Sequence, residues 1–444
     1  MFPKIFKTKL VKILLDEYKS YSRYEKLFIL FVMICSFCIT AEASITRASA
    51  NSIFLSAYTA KQFPTAWLVS VFLNFGIVTF YNHFLPRMGC IRMLILSVAC
   101  ALCMNTFSAF YVQSFSFLPF ILYLWKDIFV ILMFQQLWSV IHATMNIARA
   151  KYLYGIVFGM GGLGSVAGSL LTGSYAVSLG SEKLLLTTLP FYLIIIASYC
   201  IALKVREKVS DKQNIDVMRT DSTDVMGGMK LIRKSTFLKF ILLIVLAMQI
   251  SSTILDYQFS SYLEKAFVIQ DLRTAFLGKF FGIVNTVNIL LQFIGSYLLV
   301  RVIGLERSHL VIPIVLALYA VGFLIFPTFP FICLYFANIK ALDYSIFGII
   351  KEMLYIPLKV DEKFKAKAII DVFAYRTAKA CASLIIVALG CITSISLNTL
   401  LSWGVLLLFF AWMIAVLALF KHYYKELDSH QLNRKEEAPL PLSD

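Results

Sequence analysis

KEMLYIPLKVDEKFKAKAIIDVFAYRTAKACAS, residues 351–383, starts where one apolar run (329–350) ends and carries on into another (366–393). Between the runs lie Lys359, Lys363, Lys365 and Lys367, beside Asp361 and Glu362. A chain that threads a bilayer collects its charge in the connections and places Lys and Arg on the cytoplasmic side. Residues 359–367 therefore read as a cytoplasmic connection between two membrane spans. The density of lysine there needs no binding site to explain it. Lys379 is different, because it lies well inside the second apolar run.

The whole chain has this character. Of its 444 residues 60% are hydrophobic and 15% charged, where a soluble protein carries about a quarter charged residues. The mean hydropathy is +0.80. These values indicate a polytopic membrane protein. The net charge of +16 could suggest nucleic acid, but the basic residues sit in short segments between apolar runs, where topology accounts for them. No nucleic-acid partner is expected. Cys35/Cys38 and Cys100/Cys103 have CxxC spacing, yet each pair lies in an apolar run without a second ligand pair, so they read as packing. Five scattered His give no metal site, and no nucleophile elbow or His-based triad appears, so no enzyme is expected. The N-terminus lacks the small-residue cleavage site of a secretory signal.

A bilayer core takes about 20 apolar residues per helix. Twelve spans follow, at about 27–46, 65–84, 92–112, 117–145, 152–178, 184–203, 237–259, 277–299, 308–327, 329–350, 366–393 and 397–420. The fourth and eleventh are long enough to be broken or tilted. The basic residues favour the even connections and the N-terminal tail, which puts both termini in the cytoplasm. The expected organisation is a basic amphipathic tail (1–26), a six-helix half (27–203), a cytoplasmic loop (204–236), a second six-helix half (237–420) and a polar, disordered tail (421–444). The N-terminal tail, with Ile5, Phe6, Leu10, Ile13 and Leu14 among lysines, suits either a helix lying on an anionic leaflet or a solvated basic segment. Two six-helix halves around a long cytoplasmic loop resemble major-facilitator-type transporters, whose substrate site lies near the midplane. The architecture points to transport and names no substrate.

A charge at the bilayer centre costs about 2.5–3.5 kcal/mol, so it calls for a partner or a water-filled path. Glu42, Arg47, Lys126, Asp127, Asp256, Lys340, Asp343 and Lys379 fall inside the spans. Lys126 and Asp127 are adjacent, and Lys340 and Asp343 sit three apart, close enough to pair on a helix. Such groups are either internal salt bridges or parts of a substrate path. Basic groups facing a cavity would favour an anion. Carboxylates nearby would keep those bases oriented or meet hydrogen-bond donors of the substrate. The stretch GIVFGMGGLGSVAG (155–168) lacks the Gly-Lys-Ser/Thr ending of a phosphate loop. Its Gly155–Gly159 and Gly164–Gly168 spacings fit close helix contact.

KEMLYIPL (351–358), KAKAIIDV (365–372) and AKACASLI (378–385) resemble the nucleotide transporter family, the ATP/ADP translocases of plastids and obligate intracellular bacteria. The family's pattern there is similar to KEMAYIPL, KGKAAIDV and GKSGGSLI. ARAKYLYGIVFG (148–159) resembles the family's EAKRFYPLFG, and ISSTILDYQF (250–259) resembles its acidic position in the seventh span. FLGKFFGIVNTVNILLQFIG (276–295) is similar in style, and the likeness runs over roughly residues 25–420.

This resemblance implies twelve helices, exchange of nucleotides or their relatives and no bound cofactor, in the inner membrane of a bacterium. It places Lys379 on the family's lysine of the eleventh span, Asp256 on the glutamate of the seventh and Asp127 near the glutamate of the fourth. The first-span lysine is absent: its place in ITRASANSIFL (45–55) is Ala50, with Arg47 on the arginine three residues before it. Asp343 stands where many members have lysine, and Gly348 where they have aspartate. The expected substrate site is thus Lys379 and Arg47 on phosphate oxygens, with Asp127 and Asp256 orienting that clamp or meeting ribose and base. Lys126, Asp343 and Lys340 are secondary candidates. Two other readings stay open: a carrier or proton symporter of a less charged nucleotide-related solute or other organic anion, with Asp127 or Asp256 titrating, and a non-transporting membrane scaffold.

Overall fold

The computed structural model describes residues 21–142, 144, 147–209, 225–292, 296–356, 358, 366–392 and 396–436. Most of the N-terminal tail, the middle of the long central loop, the lysine-rich connection after Leu358 and the last eight residues lie outside that set. Every regular element among the described residues is helical. The α-helices are α1 (Arg23–Ala57), α2 (Phe63–Tyr111), α3 (Leu118–His142), α4 (Ile147–Leu179), α5 (Leu189–Val209), α6 (Val225–Lys234), α7 (Thr236–Ala266), α8 (Gln270–Leu290), α9 (Ser296–Ile303), α10 (Leu305–Ile325), α11 (Phe329–Leu342), α12 (Gly348–Leu354), α13 (Tyr375–Ile392) and α14 (Leu397–Glu436).

Among the described residues, each of the twelve expected spans lies mostly on helix. Ten stretches among the described residues are long and apolar enough to cross a membrane. One of them, Ala60–Tyr111, holds the second and third spans together. Gly89, at φ +78°, separates the two within α2. A backbone at positive φ closes a helix end, and glycine adopts it without a Cβ penalty. The expected span at 277–299 is α8 followed by the short α9, with residues 293–295 between them outside the described set.

The two spans marked as long behave differently. The fourth is one continuous helix, α3. The eleventh opens with a π-helical turn, Ala368–Ala374, before α13. A second π-helical turn, Asp343–Phe347, separates α11 from α12. The C-terminal tail corrects an expectation: α14 runs on to Glu436, through residues expected to be disordered. The sequence KHYYKELDSHQLNRKE contains no Gly or Pro and is rich in good helix formers, so the span propagates instead of stopping.

Local signals fix several helix starts. Ser22 and Glu25 form a reciprocal capping box before α1: the Ser22 N–H donates to Glu25 Oε2 (2.7 Å) and the Glu25 N–H to Ser22 Oγ (3.2 Å). Ser235 caps α7 by accepting from the Leu238 N–H at 3.3 Å.

The chain divides into two compact units. The first takes described residues from Met1–Ala57, Asn74–Met218 and Ile269–Ile283; the second takes them from Tyr58–Leu73, Arg219–Val268 and Val284–Asp444. In the first unit α1 packs against α3, α4 and α5. Phe28, Val32, Ile39, Phe129 and Tyr192 form part of its buried core. In the second unit α7 packs against α11, α13 and α14, and α10 against α14. Phe259 of α7 stacks on Phe336 of α11, with ring centroids 4.3 Å apart.

Glycine sets the closest approach in the first unit. A Cβ on Gly164 would overlap the Phe37 carbonyl oxygen and the Thr40 hydroxyl, and one on Gly168 would overlap the Ala41 carbonyl. The α4 backbone therefore rests directly on that of α1, the arrangement that small residues four apart allow. Thr40 Oγ1 reinforces the contact by donating to the Gly161 carbonyl at 2.6 Å. Gly173 and Gly278 make a similar backbone contact between α4 and α8. Gly155 faces open space, so close packing applies to the later glycine pair and not to that residue. Gly164→Ala should lower the stability of the detergent-solubilised protein by about 3 kcal/mol, the upper range of overpacking. Gly155→Ala should leave it unchanged or raise it by up to about 1 kcal/mol through helix propensity. Thermal unfolding of the two variants checks the contrast.

Candidate functional site

The charged residues inside the spans sort by what holds them. In the second unit, one face of α7 presents Gln249, Ser252 and Asp256, spaced for one side of a helix. Lys340 of α11 lies against that face. Its ammonium donates to Asp256 Oδ2 at 2.8 Å and to Ser252 Oγ at 2.9 Å. The Lys340 side chain is 10% exposed and that of Asp256 34%, so the pair has a sealed basic end and an open acidic end. Asp343, at the start of the π-helical turn, is buried and accepts from Gln249 Nε2 through both oxygens, at 3.0 and 3.2 Å.

The next turns pair as well. Lys351 is buried and donates to Asp371 Oδ1 at 2.6 Å, while Lys367 donates to Glu352 Oε2 at 2.6 Å. These two ion pairs join KEMLYIPL to KAKAIIDV. Asp371 sits in the second π-helical turn, whose wider backbone re-aims side chains compared with an α-helix.

Lys379 breaks the pattern. No carboxylate pairs with it among the described residues. Its ammonium lies 5.7 Å from the centre of the Trp67 ring. No ion pair joins it to Asp256.

In the first unit, Lys126 donates to its neighbour Asp127 at 3.0 Å and stands 4.4 Å over the Tyr123 ring. Asp127 is 30% exposed on its side chain. Arg47 of α1 is half-buried, and no carboxylate pairs with it among the described residues. Glu42, five residues earlier, is buried and held by neutral donors. Thr46 Oγ1 donates to its Oε1 at 2.6 Å, Tyr192 Oη at 2.7 Å and Asn105 Nδ2 at 3.3 Å. This network ties α1 to α2 and α5, which gives Glu42 a place in the frame. Ala50, where the family's first-span lysine was expected, is fully buried.

The structure gives two of the expected site carboxylates lysine partners. Asp256 orients Lys340 and not Lys379. Asp127 holds Lys126. Arg47 and Lys379, the two cations expected on phosphate, are the two basic candidates that no carboxylate pairs with among the described residues. Trp67, Gln249 and Ser252 were not singled out in the sequence. The spacing of Gln249, Ser252 and Asp256 on one helical face was a readable signal for the last two. Trp67 carried none, being one tryptophan among many aromatics. Among the described residues no group of three metal-ligating side chains comes together.

Arranged this way, apolar helices carry a few charged groups, some exposed at one end, which defines a multi-pass membrane protein of the major-facilitator fold. The structure superposes on an auto-inhibited POT family peptide transporter with a TM-score of 0.61 and 11% identity, over 90% of this chain and 96% of that one. For the nucleoside transporter NupG the values are 0.55 and 12%, over 90% and 100%. At such identities these likenesses speak to the fold alone.

Sequence relatives narrow the class. Residues 334–423 match the family model of the TLC ATP/ADP transporter. ADP,ATP carrier protein 1 of Rickettsia bellii is 24% identical over 291 residues, 58% of this chain and 57% of that protein. ADP,ATP carrier protein 1 of Chlamydia pneumoniae is 26% identical over 321 residues, 63% of this chain and 60% of that one. The chain thus spans somewhat under two thirds of the length of these relatives. Together the matches support the chain as a divergent member of the nucleotide transporter family. The matched region holds Lys340, Lys351, Asp371 and Lys379.

The Lys351–Asp371 pair should behave as a structural bond. Lys351→Met or Asp371→Leu alone leaves a partner charge unpaired in a largely buried setting, at a cost of about 3 kcal/mol. The double variant should recover most of that stability, read by thermal unfolding in detergent. Additive losses in the double variant would show that the two side chains act separately.

Proposed function

We propose that the chain is a secondary transporter that exchanges nucleotides of the ATP/ADP type by alternating access. The observation that carries this reading is the sorting of the lysines. Lys126, Lys340 and Lys351 each have a carboxylate, while Lys379, on the position similar to the family's lysine, has none among the described residues. A cation kept in an apolar span without a counter-charge is poised for an anion from outside the protein. Arg47 offers a second such group, with a fork suited to two phosphate oxygens. Without an anion the carrier holds uncompensated charge, and bound nucleotide neutralises it before the carrier turns over. That couples outward and inward movement without an ion gradient. The membrane in question is a bacterial inner membrane, with both termini in the cytoplasm.

Uptake of labelled ATP into proteoliposomes loaded with ADP tests the proposal. Exchange should continue in the presence of an uncoupler, and Lys379→Ala and Lys379→Asn should reduce it at least a hundredfold. Lys379→Arg, which keeps charge and changes shape, should lose less. Full uptake in Lys379→Asn would overturn the clamp.

A second reading, transport of a less charged nucleotide-related solute or another organic anion, is favoured by Ala50 and by the Lys340–Asp256 pair, which together leave fewer open cations. In that case AMP or adenosine should outcompete ATP for uptake into the same vesicles. A scaffold without transport predicts no flux of any of them.

A further inference from the structure

We infer that Trp67 is a positioning residue for Lys379: its indole face holds the ammonium in place while leaving its charge uncompensated. The inference rests on the reading of Lys379 as an anion-binding group and adds the residue that prepares it.

The geometry has three parts. The first is the contact. Lys379 Nζ lies 5.7 Å from the Trp67 ring centre, within the range where the ring quadrupole attracts a cation. The second is the rigidity of the platform. Trp67 is 4% exposed and stacks on Phe63 with centroids 5.8 Å apart and planes 18° from parallel. The turn that leads into α2 is tied to α7, because the Ala60 N–H donates to Glu264 Oε2 at 2.9 Å. Ala60 and Phe63 are buried beside it. The ring therefore cannot swing aside to follow the lysine. The third is the contrast between the half-buried Lys379 and the buried Lys126, Lys340 and Lys351, each of which rests on a carboxylate.

The distinction matters for binding an anion. A carboxylate orients a lysine and cancels its charge, so an incoming phosphate must first displace it. An aromatic face orients a lysine by a weaker attraction and leaves the full positive charge on offer. A flexible side chain loses conformational freedom when it binds, and a pre-set one loses less. Trp67 thus lowers the ordering cost at Lys379 without the competition a carboxylate would bring.

The test compares Trp67→Phe with Trp67→Leu in the full-length protein, two side chains of similar bulk of which only one has a π face. The first readout needs no substrate. Detergent-solubilised protein is treated with a limiting amine-acylating reagent, and modification of Lys379 is followed by peptide mass spectrometry. In Trp67→Leu the ammonium is released, and Lys379 should react about fivefold faster than in the wild type. Trp67→Phe should stay within about twofold. The second readout is the concentration dependence of labelled ATP uptake. Trp67→Leu should raise the half-saturating ATP concentration about fivefold with little change in maximal rate, and should have no further effect in a Lys379→Gln background. Equal labelling in the Phe and Leu variants overturns the inference, as does an undiminished effect of Trp67→Leu on the residual uptake of the Lys379→Gln protein. If the labelling difference holds and the wild type takes up no ATP, the nucleotide reading falls while the positioning role stands.

Discussion

A lysine ammonium inside a bilayer-spanning helix has to be held by something, and what holds it decides what it can do. The water that would solvate it is missing, and the cost of leaving it bare is several kcal/mol. A carboxylate repays that cost by Coulomb attraction, and the pair becomes part of the frame. Lys126, Lys340 and Lys351 are settled in this way. An aromatic face repays less and cancels nothing. Lys379 is settled on Trp67 and keeps its charge. That difference sets Lys379 apart from the lysines that ion pairs hold in the frame.

The frame must be stiff for the difference to persist, because a lysine stem is long enough to find another partner if helices shift. Stiffness in the first unit comes from backbone contact. Gly164 and Gly168 let α4 rest on α1, and Thr40 donates across the seam. On another part of α1, Glu42 gathers donors from Thr46, Asn105 and Tyr192. With α1 fixed on both sides, Arg47 is carried on a helix that has little freedom to roll. Stiffness in the second unit comes from paired charges and stacked rings, with Phe259 on Phe336 beside the Lys340–Asp256 pair.

The spans were legible because the rule behind them is one-dimensional: apolar length, then Lys and Arg in the connections. The twelve runs needed no tertiary information. The role of Gly164 and Gly168 was legible for a related reason, since a four-residue spacing places both on one helix face. Partner choice was not legible, because it depends on which helices touch. Asp256 and Lys340 are far apart in sequence and meet only when α7 packs on α11. Lys351 and Glu352 are neighbours in sequence, yet their partners, Asp371 and Lys367, come from the next signature block. The interaction of Lys379 with Trp67 was the least accessible of all. It joins residues from the second and eleventh spans, and nothing in the local sequence around Trp67 marks it. The π-helical turns were invisible for a similar reason: a one-residue widening leaves the apolar pattern intact. The end of α14 was misjudged because a polar run says where the membrane stops and not where the helix does.

Asp343 shows how a buried carboxylate can be absorbed locally. Without hydrogen-bond donors it would be costly in a buried turn. Gln249 meets it with a single amide that reaches both oxygens, and Lys340 stands one turn away. Since Lys340 spends its contacts on Asp256 and Ser252, this corner of the second unit holds one ammonium against two carboxylates. In the first unit, the fully buried Ala50 contributes no charge of its own.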